Sequence, residues 1–306
     1  EIQSQWYWWS KFIWWYFRGE VEDYQVNILD PGINSIYYPS QNEFTLIAFE
    51  DKWPDKGDYD FNDVVVKLRT RIDTKENKVV RYILQGKLAS SGAGFNNSFG
   101  MRFEGGNKNL INTSLIYKTI DNQVVSEGTV ENDSSELIIN VLENIRNMYT
   151  PPSGCIFFRT EPGCQSESQI PFYVEIPISG DLPYASSPTE AFDPFIYGSP
   201  GYYHGPYTTK LNARTLEIHL QTKNYSSLFD STLLLMGDDH SQLGNYFVTD
   251  NNFPFALELP QNWRFPAERV DLLESYPELE LFIQSNGQHN TNWFSNPNLS
   301  KVIDDE

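Results

Sequence analysis

Apolar and polar residues alternate over short stretches along most of the chain, and Gly, Pro and Asn separate these stretches. In residues 64–72, three basic residues interrupt an apolar run, so one face of a strand there is expected to be solvated. A polar turn at 73–77 and a second apolar stretch at 79–88 follow. Together they predict a long β-hairpin.

Many further segments have the apolar, β-branched and aromatic content of strands. These candidates are 44–49, 99–103, 115–120, 137–141, 170–178, 215–220, 233–236 and 255–259. Many short strands divided by turns predict an all-β fold, a β-sandwich or jelly-roll-like architecture. A short helical segment is expected near the C-terminus over Phe265–Leu273, where Pro lies near the start, and Pro277 is expected to divide or kink it.

The amino-acid composition excludes some classes of binding partner. The 306 residues carry a net charge of −19, which would repel a phosphate backbone, so no nucleic acid is expected as a partner. No uninterrupted apolar stretch is long enough to span a membrane. The pattern predicts a single β domain over residues 25–306, preceded by an aromatic segment at residues 1–24.

The aromatic segment holds five of the eight tryptophans, among them Trp8, Trp9, Trp14 and Trp15. Such a patch would not remain exposed on a monomer. One interpretation is a strand that docks on a neighbouring subunit or surface, with these tryptophans as the contacts. The alternative is a strand buried in the sandwich of its own chain.

The loop before the predicted hairpin concentrates acidic residues around a Pro/Gly turn, and hard oxygen ligands on a flexible segment favour calcium. Asp58–Asn62 has the spacing that opens an EF-hand loop, but Asp63 stands where that motif needs Gly, and Arg69 where it needs Glu. An EF-hand is therefore excluded, and a different calcium loop stays open. The alternative is a surface turn in which Asp side chains cap backbone N–H groups.

The stretch from Phe49 to Val66 resembles the signature of the LruC-domain family, which comprises exported proteins of Gram-negative bacteria. The resemblance continues at Tyr37–Ser40, Leu216–Leu220, Ser231–Asp239, Tyr246–Pro260 and Asn292–Trp293. Leu216, Leu235 and Met236 depart from the residues usual at those places.

The resemblance implies an all-β protein that is exported to the cell surface, the outer membrane or the extracellular space of a Gram-negative bacterium. Similar acidic signatures in exported β domains imply calcium as the ligand. The metal ligands that this implies are Asp58, Asp60 and Asp63, together with Glu50, Asp51, Asp238 and Asp239. Consecutive Asp side chains in an extended strand point to opposite faces, so only one of Asp238 and Asp239 is then expected to bind the ion.

Two cysteines, Cys155 and Cys164, flank a Pro/Gly turn. A disulfide across so short a loop is expected, and it fits export to an oxidising compartment. The alternative is a pair of free, buried thiols.

The sequence carries no nucleophile elbow, no phosphate-binding glycine loop and no His-Glu-x-x-His metal motif. His219 stands between apolar neighbours and is expected to lie in the sheet rather than to bind a metal. We therefore expect a non-enzymatic structural or adhesion protein of the surface, whose partners are other envelope or extracellular proteins or further copies of itself. The alternative is a carbohydrate-binding or carbohydrate-active module, with Tyr202 and Tyr203 stacking on glycans.

Overall fold

The computed structural model describes residues 32–126, 128–285 and 287–304. Contacts group the chain from Asn34 onward into one compact unit. In the described part of the chain, twelve strands form two antiparallel sheets. The strands are Asn34–Tyr38 (β1), Thr45–Phe49 (β2), Val64–Lys75 (β3), Lys78–Ser90 (β4), Asn97–Asn107 (β5), Tyr117–Ile120 (β6), Gln123–Val124 (β7), Glu136–Leu142 (β8), Ile170–Pro177 (β9), Phe192–Gly198 (β10), Glu217–His219 (β11) and Ala256–Pro260 (β12).

The larger sheet has eight strands in the order β12-β2-β3-β4-β9-β6-β7, with β1 also paired to β3. Its centre is the predicted hairpin of β3 and β4. Glu76 and Asn77 form the turn, and both have positive φ, as two-residue hairpin turns need to match the twist of the strands. β1 and β2 pair with successive parts of the same edge of β3.

The smaller sheet has four strands in the order β11-β10-β5-β8. Alternate side chains of the two sheets meet in one apolar core, which includes Phe49 and Val66 from the larger sheet and Met101 and Ile139 from the smaller. The predicted β-sandwich is therefore confirmed. Burial of these side chains is the main source of stability.

A third layer covers the other face of the larger sheet. Leu46 and Val65 point to this side and pack with Phe265, Tyr276 and Trp293 from the C-terminal segment. The helices are Pro188–Ala191 (α1), Leu272–Ser275 (α2) and Glu278–Gln284 (α3), with 3₁₀ turns at Lys108–Leu110, Thr113–Leu115, Ile145–Asn147, Ala213–Thr215, Ser231–Leu233 and Trp293–Ser295. None of the described helices has the length and apolarity of a membrane-spanning segment.

The short helix near the C-terminus is confirmed, with two differences from the predicted range. It begins at Leu272, where the Asp271 side chain accepts a hydrogen bond from the Leu273 amide, and Pro277 divides α2 from α3. Residues 265–271 form no helix, and a turn at 268–269 interrupts them, where Arg269 has positive φ. Residues 233–236 form a turn instead of the predicted strand. The segment 1–24 and Trp8, Trp9, Trp14 and Trp15 lie outside the described residues, so the docking strand stays a prediction.

Candidate metal centre

The acidic loop between β2 and β3 is shaped by two buried aromatic residues. Tyr59 and Phe61 both have positive φ, which is uncommon for aromatic residues, and both are fully buried against the C-terminal layer. Their rings pack edge to face with centroids 4.8 Å apart. This packing holds the backbone of the loop in its curved conformation. The polar side chains of Asp58 and Asp60, which alternate with the two aromatic residues, point away from this apolar contact.

Three carboxylates converge at this loop. Glu50, Asp58 and Asp60 each offer one oxygen, and these oxygens lie within 4.8 Å of one another. Glu50 is 0% exposed, and its Oε1 accepts a hydrogen bond from the Phe61 amide over 2.6 Å. Its Oε2 is buried and accepts no hydrogen bond from the described residues. A buried carboxylate oxygen without a hydrogen bond destabilises the folded state unless a cation binds it.

A second unpartnered oxygen lies beside this cluster. Asn62 is 1% exposed, its Nδ2 donates to the Pro266 carbonyl over 3.2 Å, and its Oδ1 accepts no hydrogen bond from the described residues. A Cβ atom on Gly92 would overlap that Oδ1 and would lie 2.7 Å from Glu268 Oε2. Asn62 and Glu268 therefore direct oxygens to the same place, which only a glycine at position 92 leaves free.

Burial and mutual repulsion oppose the ionisation of these carboxyl groups. Burial, followed by the charge of Asp60, raises the pKa of Glu50 well above its usual value. Burial and then Asp58 do the same to the pKa of Asp60, and burial raises the pKa of Glu268 to about 7. A bound cation would reverse these shifts, because it favours the ionised carboxylates.

Asp51 and Asp63 form the base of the loop. The Asp51 amide donates to Asp63 Oδ2 over 2.7 Å, and Asn97 Nδ2 donates to Asp51 Oδ2 over 2.6 Å. Burial raises the pKa of Asp51 to about 6 and raises that of Asp63 strongly, with Asp51 as its second cause. These two carboxylates thus lie next to the cluster. Asp63 lines the same surface pocket as Asp58, a member of the cluster.

The structure places Asp238 and Asp239 on the other side of the Pro54 turn. Asp239 Oδ1 accepts from the Trp53 indole over 2.9 Å and from the Ser241 hydroxyl over 2.7 Å. Asp238 Oδ2 accepts from the Lys56 amide over 2.8 Å. These carboxylates hold the turn, and they are not among the described residues that group with Glu50.

Cys155 and Cys164 form a disulfide, as predicted, with Cα atoms 6.0 Å apart. The loop that it closes contains Thr160, whose hydroxyl donates to Glu268 Oε2 over 3.0 Å and whose carbonyl accepts from the Glu268 amide over 3.0 Å. The disulfide loop therefore supports Glu268, whose charge acts on Asp60 from beside the cluster.

The two predicted glycan-stacking residues lie at the surface. The side chain of Tyr203 is 54% exposed and that of Tyr202 is 39% exposed. Phe95 stacks on His204 with ring centroids 4.7 Å apart and meets the Tyr203 ring at 6.0 Å. Tyr203 thus forms an aromatic surface together with Phe95, which also lines the pocket next to the acidic cluster.

Glu268 was not among the predicted ligands. It lies more than 200 residues after the loop in sequence, and the Arg269 amide, which donates to Asp60 Oδ2 over 2.7 Å, brings it there. Asn62 stands within the loop itself, in the alternate spacing Asp58-x-Asp60-x-Asn62, and this spacing is the signal that could have marked it.

The fold and this centre define a two-sheet β protein with a buried acidic cluster under a C-terminal layer. The family model for a domain of unknown function (DUF4842) matches residues 77–294, so the chain belongs to that family. The resemblance to the LruC-domain family stays a prediction. None of the curated proteins matches the chain.

The chain is similar in structure to the crystal structure of a "putative lipoprotein" from Bacteroides ovatus. The TM-score is 0.65, the sequence identity is 16%, and the match covers 92% of this chain and 79% of the other. A likeness at this identity shows a shared fold.

Proposed function

We propose that this chain is a non-enzymatic, exported β protein of the bacterial cell envelope, in which Ca²⁺ fixes the C-terminal layer to the larger sheet. It would act in surface structure or adhesion, alone or within a surface assembly. The lipoprotein of similar fold comes from a bacterium, and the disulfide fits an oxidising compartment. Both support an envelope location.

The observation that carries the calcium proposal is the pair of buried oxygens without a hydrogen bond from the described residues, Glu50 Oε2 and Asn62 Oδ1. Glu50 groups with the carboxylates of Asp58 and Asp60, and Asn62 Oδ1 lies at Gly92 next to Glu268 Oε2. Buried polar atoms are nearly always satisfied, so two such oxygens in one acidic loop support a cation bound there. A set of hard oxygens on a curved loop suits Ca²⁺.

The position of the site explains what the ion would do. Three hydrogen bonds already join the loop to the C-terminal segment: Arg269 N to Asp60 Oδ2, Asn62 Nδ2 to the Pro266 carbonyl, and Leu272 N to the Tyr59 carbonyl. Without a cation, repulsion among the carboxylates opposes this junction. Ca²⁺ would remove the repulsion and hold the junction together.

The test is thermal unfolding with Ca²⁺ and with EDTA, together with elemental analysis of the purified protein. Calcium at about 100 times its Kd adds about 2.7 kcal/mol to the free energy of unfolding. For a chain of this size that amounts to roughly 4–5 °C in Tm. An unchanged Tm and no calcium in the protein would refute the proposal.

Glu50→Gln is the matched variant, because it keeps the acceptor for the Phe61 amide and removes the buried charge. We expect it to abolish the calcium-dependent rise in Tm and not to lower the Tm in EDTA. Asp238→Asn is the control, since its carboxylate serves the Lys56 amide away from the cluster. It should retain the full calcium response.

A further inference from the structure

The acidic cluster opens to solvent through a pocket of about 430 Å³. Asp58 and Glu268 line this pocket on one side, and Phe95, Phe157 and Arg269 are also in its wall. Asp58 is exposed, and the Arg269 side chain is 70% exposed. An ion at the cluster would therefore be reachable from outside, which a purely structural site does not need.

An aromatic surface continues from this pocket. Phe95 is half-buried and meets the Tyr203 ring, and beyond it Tyr202 is held by Asn147 Nδ2, which donates to its hydroxyl over 3.3 Å. The adjacent rings of Phe95 and Tyr203 leave apolar area in water beside the pocket, against which the apolar face of a sugar could pack.

The pocket and the aromatic surface share one rigid frame. Asn97 donates to Asp51 Oδ2 over 2.6 Å, and its Oδ1 lies 2.6 Å from His204 Nε2. Asn97 and His204 are both fully buried, and His204 carries the Phe95 ring by stacking. The distance between the cluster and the aromatic rings is thereby fixed by buried hydrogen bonds, as a preformed binding site requires.

We propose that this pocket binds a neutral glycan, two hydroxyl oxygens of which complete the coordination of the bound Ca²⁺ while a sugar face packs on Phe95 and Tyr203. The proposal rests on the calcium site of the proposed function. Ca²⁺ takes six to eight oxygen ligands and accepts hydroxyls and water among them.

The charge of the site selects a neutral ligand. Glu50, Asp58 and Asp60 in the cluster and Glu268 beside it carry four carboxylates, which exceed the two positive charges of the ion. An anionic ligand would be repelled by the excess, whereas hydroxyl groups add no charge. Arg269 and Asp58 supply exposed donors and acceptors for further hydroxyls.

The experiment is affinity gel electrophoresis of the whole chain in mannan, xylan or laminarin, with polygalacturonate as an anionic comparison. Each gel is run with Ca²⁺ and with EDTA. We expect retardation by at least one neutral polysaccharide, and its loss in EDTA. Phe95→Ala and Tyr203→Ala should each weaken binding about tenfold, since truncating a central aromatic contact typically costs more than 1 kcal/mol.

Tyr117→Ala is the matched control, because Tyr117 is 48% exposed on β6, and its ring pairs with Tyr173 rather than with this surface. It should bind like the unaltered protein. All three variants should keep the calcium-dependent Tm, which separates glycan binding from the metal site.

Calcium-dependent stability without retardation in any neutral gel would overturn the glycan proposal and leave the calcium site standing. Retardation that persists in EDTA, or that polygalacturonate alone produces, would overturn it as well. A chain that calcium neither stabilises nor binds would overturn the proposed function itself.

Discussion

Gly92 and Asn62 lie so close that a Cβ atom on Gly92 would overlap Asn62 Oδ1. The Gly92 amide also donates to the Asn62 carbonyl over 2.8 Å, which keeps the two segments in contact. The space that glycine leaves is the place to which Asn62 and Glu268 direct their oxygens. The absence of a side chain at this position is therefore part of the candidate metal centre.

Gly92→Ala should displace one or both oxygens. We expect a loss of about 1–3 kcal/mol in the free energy of unfolding, as for overpacked sites, and a smaller calcium-dependent stabilisation. Urea unfolding with Ca²⁺ and with EDTA measures both effects.

Gly94→Ala is a close control, because a Cβ atom there meets nothing within 4 Å. It should change stability by no more than about 0.5 kcal/mol and keep the calcium response. Equal effects of the two substitutions would contradict the role of Gly92.

The disulfide should matter both for the stability of the chain and for the metal centre. Cys155 and Cys164 are nine residues apart, and a cross-link over so short a loop contributes about 2–3 kcal/mol by closure entropy. The double variant Cys155→Ser/Cys164→Ser should lose about that much. It should also bind Ca²⁺ more weakly, because Thr160 in this loop makes two hydrogen bonds to Glu268.

Calcium titration of the double variant by calorimetry and urea unfolding at saturating Ca²⁺ separate the two effects. The reduced, unaltered protein should reproduce both. Unchanged calcium affinity in the variant and in the reduced protein would show that the loop does not support Glu268.

The β3–β4 hairpin could be predicted from the sequence because its alternation and its turn are local. β10, in contrast, was not predicted. All seven of its residues are buried, so it lacks alternation, and it contains Pro194. Pro194 pairs with Met101 on β5, whereas β11 pairs only from Phe195 onward, so proline lies beyond the end of β11. Sequence patterns do not show this arrangement.

The C-terminal segment differs from its prediction for a similar reason. Pro266 forms a β-bridge with Val302, and the Ala267 amide donates to the Lys301 carbonyl over 2.9 Å. These partners lie some 35 residues away, and they hold Pro266 and Ala267 against the C-terminal end where local signals favour a helix. Only the end of the predicted range is helical.

The residues of the candidate site could likewise be predicted only where they lie close together in sequence. The loop supplies Glu50, Asp58, Asp60 and Asn62 from within one short segment, so its acidic composition indicated the place. Glu268 reaches the cluster only because the C-terminal layer packs on the larger sheet. Asp238 was predicted as a ligand together with the residues of the loop. Its carboxylate instead accepts a hydrogen bond from the Lys56 amide, away from the cluster.

His219 forms a second buried charge network, on the smaller sheet. Its Nδ1 lies 3.0 Å from Asp193 Oδ2, and its Nε2 lies 3.0 Å from Glu217 Oε2. Both nitrogens face carboxylates, an arrangement that the doubly donating imidazolium satisfies. Arg102 and Arg214 bind the same two carboxylates over 3.0 and 2.6 Å, and the Ser226 hydroxyl and amide also donate to Glu217.

Burial alone would lower the pKa of His219, but Asp193 and Glu217 outweigh it and raise that pKa from 6.5 to about 9. Burial alone would raise the pKa of Glu217, but the hydrogen bond and charge of His219 and the charge of Arg214 lower it from 4.5 to about 2. The stabilisation from His219 is thus complete below pH 6.5 and is lost as the pH rises to about 9. That from Glu217 is complete above pH 4.5 and is lost as the pH falls to about 2.

His219→Gln should therefore destabilise the chain most at mildly acidic pH. We expect a loss of about 3–5 kcal/mol near pH 6, because the variant leaves two buried carboxylates facing a neutral side chain. The difference from the unaltered protein should shrink as the pH rises from 6.5 towards 9, where His219 itself becomes neutral. Urea unfolding across this range at saturating Ca²⁺ measures the difference, with His289→Gln, an exposed histidine, as the control. A difference that stays constant over this range would mean that His219 is already neutral in the folded protein.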